Sequence, residues 1–256
     1  MFPMYAEALG SKDFAGKEPR IVFFDADDGW LKGHPSLCEK EIHLWRTYLN
    51  KKDYSREMRI LSESERTKAE HFYFEKDRRS FIITHAMLRK ILGGYLKTDP
   101  RNVEFIYGIY GKPSVVVDHN KISFNMSGSF EVSVFAFACG RQVGVDVEYI
   151  RPMDDVQSIV SNFFSPGEKS AFEAVEENQR LKAFFNCWTR KEAYLKALGK
   201  GLRQPLDSFE VSLGPGTAPR LIWVRDNAQE VFKWSIRSFI PEPGYVGALV
   251  FKRDVG

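Results

Sequence analysis

The feature that most constrains this chain is that its hydrophobic period changes twice from that of a helix to that of a strand. Phe81, His85, Leu88, Leu92 and Tyr95 recur every three or four residues, the spacing of one face of an amphipathic helix. Ser62-Glu63-Ser64-Glu65 ahead of them reads as a helix start with acids in the first turn. Gly93-Gly94 and Asp99-Pro100 read as the helical stretch's end. The spacing then gives way to short β-branched or aromatic runs at 103–107, 115–117, 122–125, 132–138 and 143–147, parted by glycine or polar turns. Helical spacing returns over 166–177 and 180–198, with Gly199 placed as a left-handed stop. Strands return at 209–213, 221–224, 232–239 and 245–251, and residues 42–45 open the series as a strand.

The order strand, helices, strands therefore occurs twice, meeting near Gly140, without a residue-level repeat. That order predicts an α+β fold of two similar halves, with a ligand cleft between them. The expected division is a peripheral N-terminal extension over 1–40, one subdomain over 41–140 and a second over 141–256.

Composition narrows the class. With 256 residues, 43% hydrophobic and 28% charged, the chain can bury a substantial core. The longest apolar run, 132–138, is too short to span a bilayer. Residues 1–10 lack a basic stretch followed by an apolar one, so no secretory signal is expected. Cys38, Cys139 and Cys187 are widely spaced and odd in number, which argues against disulfides or a zinc site and for a reducing, cytoplasmic setting. A net charge of +3 does not make a nucleic-acid surface. Basic residues do cluster at 56–66, 78–90 and 190–200, and invite an anionic ligand or acidic partner unless they simply coat solvated helix faces.

Two constellations could carry chemistry. In Val143-Gly144-Val145-Asp146-Val147-Glu148 the two acids lie two apart, so a strand points both to one face while the valines point to the other. Such a pair can share a hard cation, or can be an acidic exposed face. In Trp188-Thr-Arg-Lys191-Glu192-Ala-Tyr-Leu-Lys196, Glu192 and Lys196 share a helical face. They could be a surface ion pair, although Trp188 one turn earlier argues that the stripe is partly buried and needs partners such as a metal and a phosphate. The turns Tyr110-Gly111-Lys112-Pro113 and Phe124-Asn-Met-Ser127-Gly128-Ser129 add phosphate-friendly groups.

Taken together, Gly144-Val-Asp146-Val-Glu148 and Trp188-Thr-Arg-Lys191-Glu192-Ala-Tyr-Leu-Lys196 resemble the two-part signature of the 4′-phosphopantetheinyl transferases. Gly111-Lys-Pro113, Phe124-Asn-Met-Ser127, Gly199-Lys-Gly-Leu202 and Pro205-Leu-Asp-Ser-Phe209 resemble the monomeric, surfactin-type class. The resemblance runs from about Glu41 to about Phe251. It implies a pseudo-dimer of two α/β subdomains, each with a small antiparallel sheet packed on helices, and an active site in the cleft between them. It implies transfer of the 4′-phosphopantetheine arm of coenzyme A to a serine of an acyl or peptidyl carrier protein, releasing 3′,5′-ADP. Asp146, Glu148 and Glu192 would hold magnesium, with manganese the alternative. Lys196 would approach the diphosphate, and Glu192 or water on the metal would take the serine proton. Lys112, and Arg66 or Lys68, would meet phosphates or the adenine end, and Ser127 the 3′-phosphate. An acidic carrier helix would dock near Phe163 and Phe164. No nucleic acid or membrane partner is implied.

Two positions depart from the family pattern. Gly128 stands where the family carries a histidine that touches the 3′-phosphate, and a lost hydrogen bond to a charged group costs about 1.5–3 kcal/mol. Glu65 stands where relatives often carry a basic residue. Gly128, with the mild basic charge, leaves a second expectation open, a protein that binds coenzyme A or carrier proteins without turnover.

Overall fold

The computed structural model describes residues 18–27, 36–109, 111–116, 122–199, 204–214 and 216–254. Tyr110, residue 117, the glycine-lysine stretch 200–202 and most of the expected extension fall outside the described residues. The chain divides into two compact units, one of residues 20–140 and one from 141 onward together with Glu18 and Pro19.

The first unit is built on a four-stranded sheet in the order β1-β2-β6-β5, where β1 is Arg20–Asp25, β2 Glu41–Tyr48, β5 Ile122–Ser129 and β6 Val132–Cys139. The strands β2, β6 and β5 pair antiparallel, whereas β1 runs parallel to β2. Two expectations change here. The sheet is mixed rather than purely antiparallel, and residues 20–25 are a structural strand rather than part of a peripheral extension. The apolar run 21–24 is short and only half-buried at a sheet edge, so it carried no alternation to reveal its role.

One face of that sheet is covered by α3, Glu75–Leu96, whose Met87, Leu88, Ile91, Leu92 and Tyr95 pack against Trp45, Phe124, Phe135 and Phe137. A short turn α1, Ser55–Met58, and α2, Glu63–Glu70, precede it. Ser62 caps α2 in a reciprocal capping box with Glu65, as the Ser-x-x-Glu spacing predicts. Gly93 and Gly94 do not end α3, which continues to Leu96 and stops at Lys97 in a left-handed conformation with φ 54°. Gly93 instead permits close packing, since a Cβ there would lie 2.9 Å from the Thr98 carbonyl oxygen. A two-stranded ribbon of β3, Phe105–Tyr107, and β4, Pro113–Val115, completes the unit.

The second unit carries a three-stranded antiparallel sheet, β10-β11-β7, of Trp234–Phe239, Tyr245–Lys252 and Val143–Tyr149. The helix α6, Glu177–Leu198, lies on it and ends at Gly199 with φ 67°. Two short helices precede α6: α4, Val156–Phe163, and α5, Pro166–Glu173, the latter with a Ser165–Glu168 capping box. The helix α4 is absent from the sequence expectation, because apolar spacing over only eight residues, about two turns, is too short to be told from a loop. A ribbon of β8, Phe209–Val211, and β9, Leu221–Val224, joins the core of Phe164, Phe184, Tyr194, Trp234 and Val250.

The two units repeat one topology. Each runs strand, 22-residue helix, two-stranded ribbon, hairpin: β2, α3, β3-β4, β5, β6 in the first and β7, α6, β8-β9, β10, β11 in the second. In each sheet the opening strand pairs with the last strand, which pairs with the one before it. This is the duplicated α+β architecture expected from the element order.

Candidate active site

The site begins with the pleat of β7. Gly144, Asp146 and Glu148 share one face, opposite Val250, Ala248 and Val246 of β11 in register. Those three β11 residues belong to the core beneath α6, together with Ala193 and Ala197. The acidic face is therefore the helix-covered one, not an exposed one. Gly144 sets the separation, because a Cβ at that position would lie 2.2 Å from the Ala193 carbonyl oxygen and 2.3 Å from the Ala197 nitrogen. The glycine and two alanines let α6 lie directly on β7, which brings Glu192 and Lys196 to the carboxylates.

Asp146 is only 4% exposed, and its Oδ1 accepts a 2.7 Å hydrogen bond from Lys196 Nζ. Lys196 thus pairs with the strand acid rather than with Glu192 one turn away. The Glu192 carboxyl is held above the usual glutamate range. Burial is the main cause, the Asp146 charge adds to it, Lys196 opposes, and Glu148 adds a smaller push. Glu192 on the helix thus feels both strand carboxylates, which a scattered set of surface acids would not make it do. Among the described residues no three acidic, histidine or cysteine side chains are already closed into a metal-binding group. Three mutually repelling carboxylates with one ammonium between them have a physical reason to stand apart.

The basic cluster at 190–200 divides in two. Arg190 and Lys191 are buried and face the protein interior. Arg190 donates to the Ser212 carbonyl at 2.6 Å and to Ser238 Oγ, while Lys191 is held by Glu168. Only Lys196 of the described cations in this cluster reaches the carboxylates.

The other expected ligand residues lie in the first unit, around a pocket of about 380 Å³ lined by Lys68, Phe81, His85, Phe105, Tyr107 and Met126 among others. Lys68 is exposed at its rim, with its ammonium 5.3 Å over the Phe81 ring. Lys112 is half-buried between the pocket-lining Gly111 and Pro113, and burial lowers its pKa to about 8. Arg66 is exposed on α2 and does not line the pocket. Ser127 does not line it either. Strand alternation places Ser127 opposite Met126, and its carbonyl accepts from Ser133 Oγ at 3.0 Å.

Glu65, the second departure, is neutralised in place. Burial alone would raise its pKa, but hydrogen bonds from His85, Arg89 and the Ser62 backbone outweigh that and hold it near about 2. Arg89 Nε donates to it at 2.7 Å, and His85 Nδ1 lies at 3.4 Å. His85 and Phe81, whose rings lie 4.0 Å apart and tilted by 31°, were legible only as a helical core stripe. That α3 leaves the core at this turn and lines a pocket depends on the ribbon β3-β4, which periodicity cannot place.

A family model described as the 4′-phosphopantetheinyl transferase superfamily matches residues 142–250, and one described as 4′-phosphopantetheinyl transferase, N-terminal, matches residues 44–139. The 4′-phosphopantetheinyl transferase HetI of Nostoc sp. is 36% identical over 227 residues, covering 86% of this chain and 92% of its own. The chain belongs to the 4′-phosphopantetheinyl transferase superfamily. Its similarity to the transferase Sfp of Bacillus subtilis is 30% over 165 residues, 64% of this chain and 72% of that one. A solved holo-[acyl-carrier-protein] synthase of Thermotoga maritima covers 43% of this transferase and 62% of its own chain, at 22% identity and a TM-score of 0.35.

In this transferase the expected docking pair is split. Phe163, the last residue of α4, is 46% exposed, whereas Phe164 is wholly buried and stacked on Phe184. Only Phe163 can meet a partner, because the helix ends between them and the chain turns Phe164 inward. No helix among the described residues is long and apolar enough to cross a membrane.

Proposed function

We propose that this transferase moves 4′-phosphopantetheine from coenzyme A to a serine of an apo carrier protein. The serine oxygen forms a bond to the β-phosphorus, the diphosphate P–O bond breaks, and 3′,5′-ADP leaves. The observation that carries the reading is the close seating of α6 on β7 at Gly144, with Lys196 bonded to Asp146 and Glu192 one turn earlier on the same helix.

Asp146, Glu148 and Glu192 would hold magnesium, or manganese in its place, since three carboxylates are the hard oxygen donors such ions take. Burial first, and then the Asp146 charge, raise the Glu192 pKa, and a divalent cation would favour the ionised form against both. When bound, the ion would neutralise charge on the diphosphate. Lys196 supplies a second positive charge at Asp146, placed to meet the departing phosphates. Glu192, beside the strand acids, takes the serine proton in this reading.

The aromatic walls Phe81, Phe105 and Tyr107, with Lys68 and Lys112 beside them, suit the adenine and phosphate end of coenzyme A. Arg66, exposed on the same helix as Lys68, would add positive potential there. An acidic carrier helix would dock beside Phe163, with the transferase acting as a cytoplasmic monomer; the free thiols of Cys38, Cys139 and Cys187 agree with a reducing compartment. Turnover is favoured over mere binding because Lys196 bonds Asp146 and Glu192 lies on the helix seated on β7, whatever Gly128 costs in coenzyme A affinity. Incubation with coenzyme A, magnesium chloride and apo carrier protein should release 3′,5′-ADP as carrier is consumed; no release with any divalent cation contradicts the reading.

A further inference from the structure

Beside Glu192 in the signature stands Lys191, and its surroundings are unlike those of a ligand-binding lysine. Its side chain and that of Glu168 are both 0% exposed. Lys191 Nζ donates to Glu168 Oε1 and Oε2 at 2.6 Å each and to the Phe209 carbonyl at 2.8 Å, and it lies 4.3 Å over the Phe209 ring. Glu168 in turn accepts from the Val211 nitrogen at 2.8 Å and from the Ser165 nitrogen at 2.9 Å, closing the cap of α5. A single buried ion pair therefore ties α6 to α5 and to β8.

Burying two charges costs more than most packing alternatives, and such pairs are best rationalised by the register they specify. Here the register is that of α6. Successive residues on a helix are turned by about 100°, so fixing Lys191 inward toward α5 and β8 fixes where Glu192 points. On the other side, Gly144 fixes how closely the helix approaches β7 but leaves it free to rotate or slide. Hydrophobic contacts such as Tyr194 on Phe209 are non-directional and do not resolve that freedom. Directional bonds do: the ammonium has three acceptors from two elements, and Arg190 beside it bonds the Ser212 carbonyl and Ser238 Oγ.

We infer that Lys191 and Glu168 are positioning residues for the transfer reaction: the buried pair locks the rotation and axial register of α6 and thereby holds Glu192 against Asp146 and Glu148. Lys191 touches neither coenzyme A nor carrier protein. This rests on the proposed transfer chemistry for its consequence, but the pin itself can be tested without it.

The experiment compares wild type, Glu168→Gln, Lys191→Met and, as a control for stability alone, Leu221→Ala, which opens the same core on β9 away from the pin. Glu168→Gln keeps volume and one acceptor oxygen while removing the charge and turning the other acceptor into a donor, a smaller change than Lys191→Met, so it remains informative where Lys191→Met fails to fold. Amide hydrogen exchange is read over residues 189–197 and carrier loading is followed under saturating magnesium. The expected result is faster exchange in α6 for Glu168→Gln than for Leu221→Ala at matched melting temperature. With it should come a fall in kcat of about a hundredfold, the scale of an ångström-level misplacement, with KM for coenzyme A held. Equal exchange in the two variants, or a Leu221→Ala enzyme that loses as much kcat, overturns the inference. If wild type loads no carrier, the transfer reading fails and the exchange comparison alone decides the pin.

Discussion

Gly144 and Ala193 are in backbone contact across β7 and α6, so near that a methyl group on Gly144 would sit 2.2 Å from the Ala193 carbonyl oxygen. Replacing Gly144 by alanine must push the helix off the strand, since both neighbours are backbone and cannot swing aside. The expected cost is about 3 kcal/mol of stability, at the upper end of overpacking effects. Transfer should be lost even below the melting temperature, because Glu192 moves with the helix. Urea unfolding and carrier loading on the same sample check both parts.

The Glu192 carboxyl predicts a pH-dependent response to magnesium. Its folded pKa is raised above the ordinary 4.5, mainly by burial and then by Asp146. A carboxyl raised in this way contributes stability that is fully present below 4.5 and is lost as pH rises through the folded value. Magnesium favours the ionised form and should restore that loss. Melting temperature measured from pH 4 upward, with and without magnesium chloride, should show curves that diverge as pH rises; parallel curves count against the carboxylate trio as the cation site.

The duplicated topology was readable from hydrophobic period because both long helices and the central strands are long and consistent. So were the two signature segments, whose spacing alone puts Asp146 with Glu148 and Glu192 with Lys196. What the chain hid is tertiary. Nothing local distinguishes Lys191, wholly buried, from Lys196, which reaches Asp146; both are lysines on one helix, and only the packing of α5 and β8 separates them. Likewise Phe163 and Phe164 are adjacent and chemically equal, yet one is exposed and the other core. Residues 20–25 form a strand whose pairing partner is set by the sheet rather than by the segment's own pattern.

Lys112 should make coenzyme A binding sensitive to alkali. Burial lowers its pKa to about 8, so its charge is present below that value and is lost above it. KM for coenzyme A should rise as pH passes about 8, and Lys112→Arg, which stays charged, should flatten the rise. A KM that is flat through this range in the wild type excludes Lys112 from phosphate binding.

Gly128 offers a gain-of-affinity test. It lies in extended strand β5 on the same face as Met126, and a Cβ would meet Ser133 Oγ at an ordinary 3.5 Å. The backbone therefore accepts a side chain, and Gly128→His restores the histidine that the family resemblance places there. One hydrogen bond to a charged phosphate corresponds to about a tenfold drop in KM for coenzyme A. The drop should vanish with 3′-dephospho-coenzyme A as donor.

The central claim is that the carboxylates of β7 and α6, crowded by one another, transfer phosphopantetheine. Intact-mass spectrometry of an apo carrier protein, after incubation with coenzyme A, magnesium and either wild type or Asp146→Ala, tests it most directly. The wild type should convert the carrier to a species heavier by one phosphopantetheine on its serine, and Asp146→Ala, still folded, should leave it unchanged. An unmodified carrier with the wild type, or equal conversion by the variant, contradicts the account.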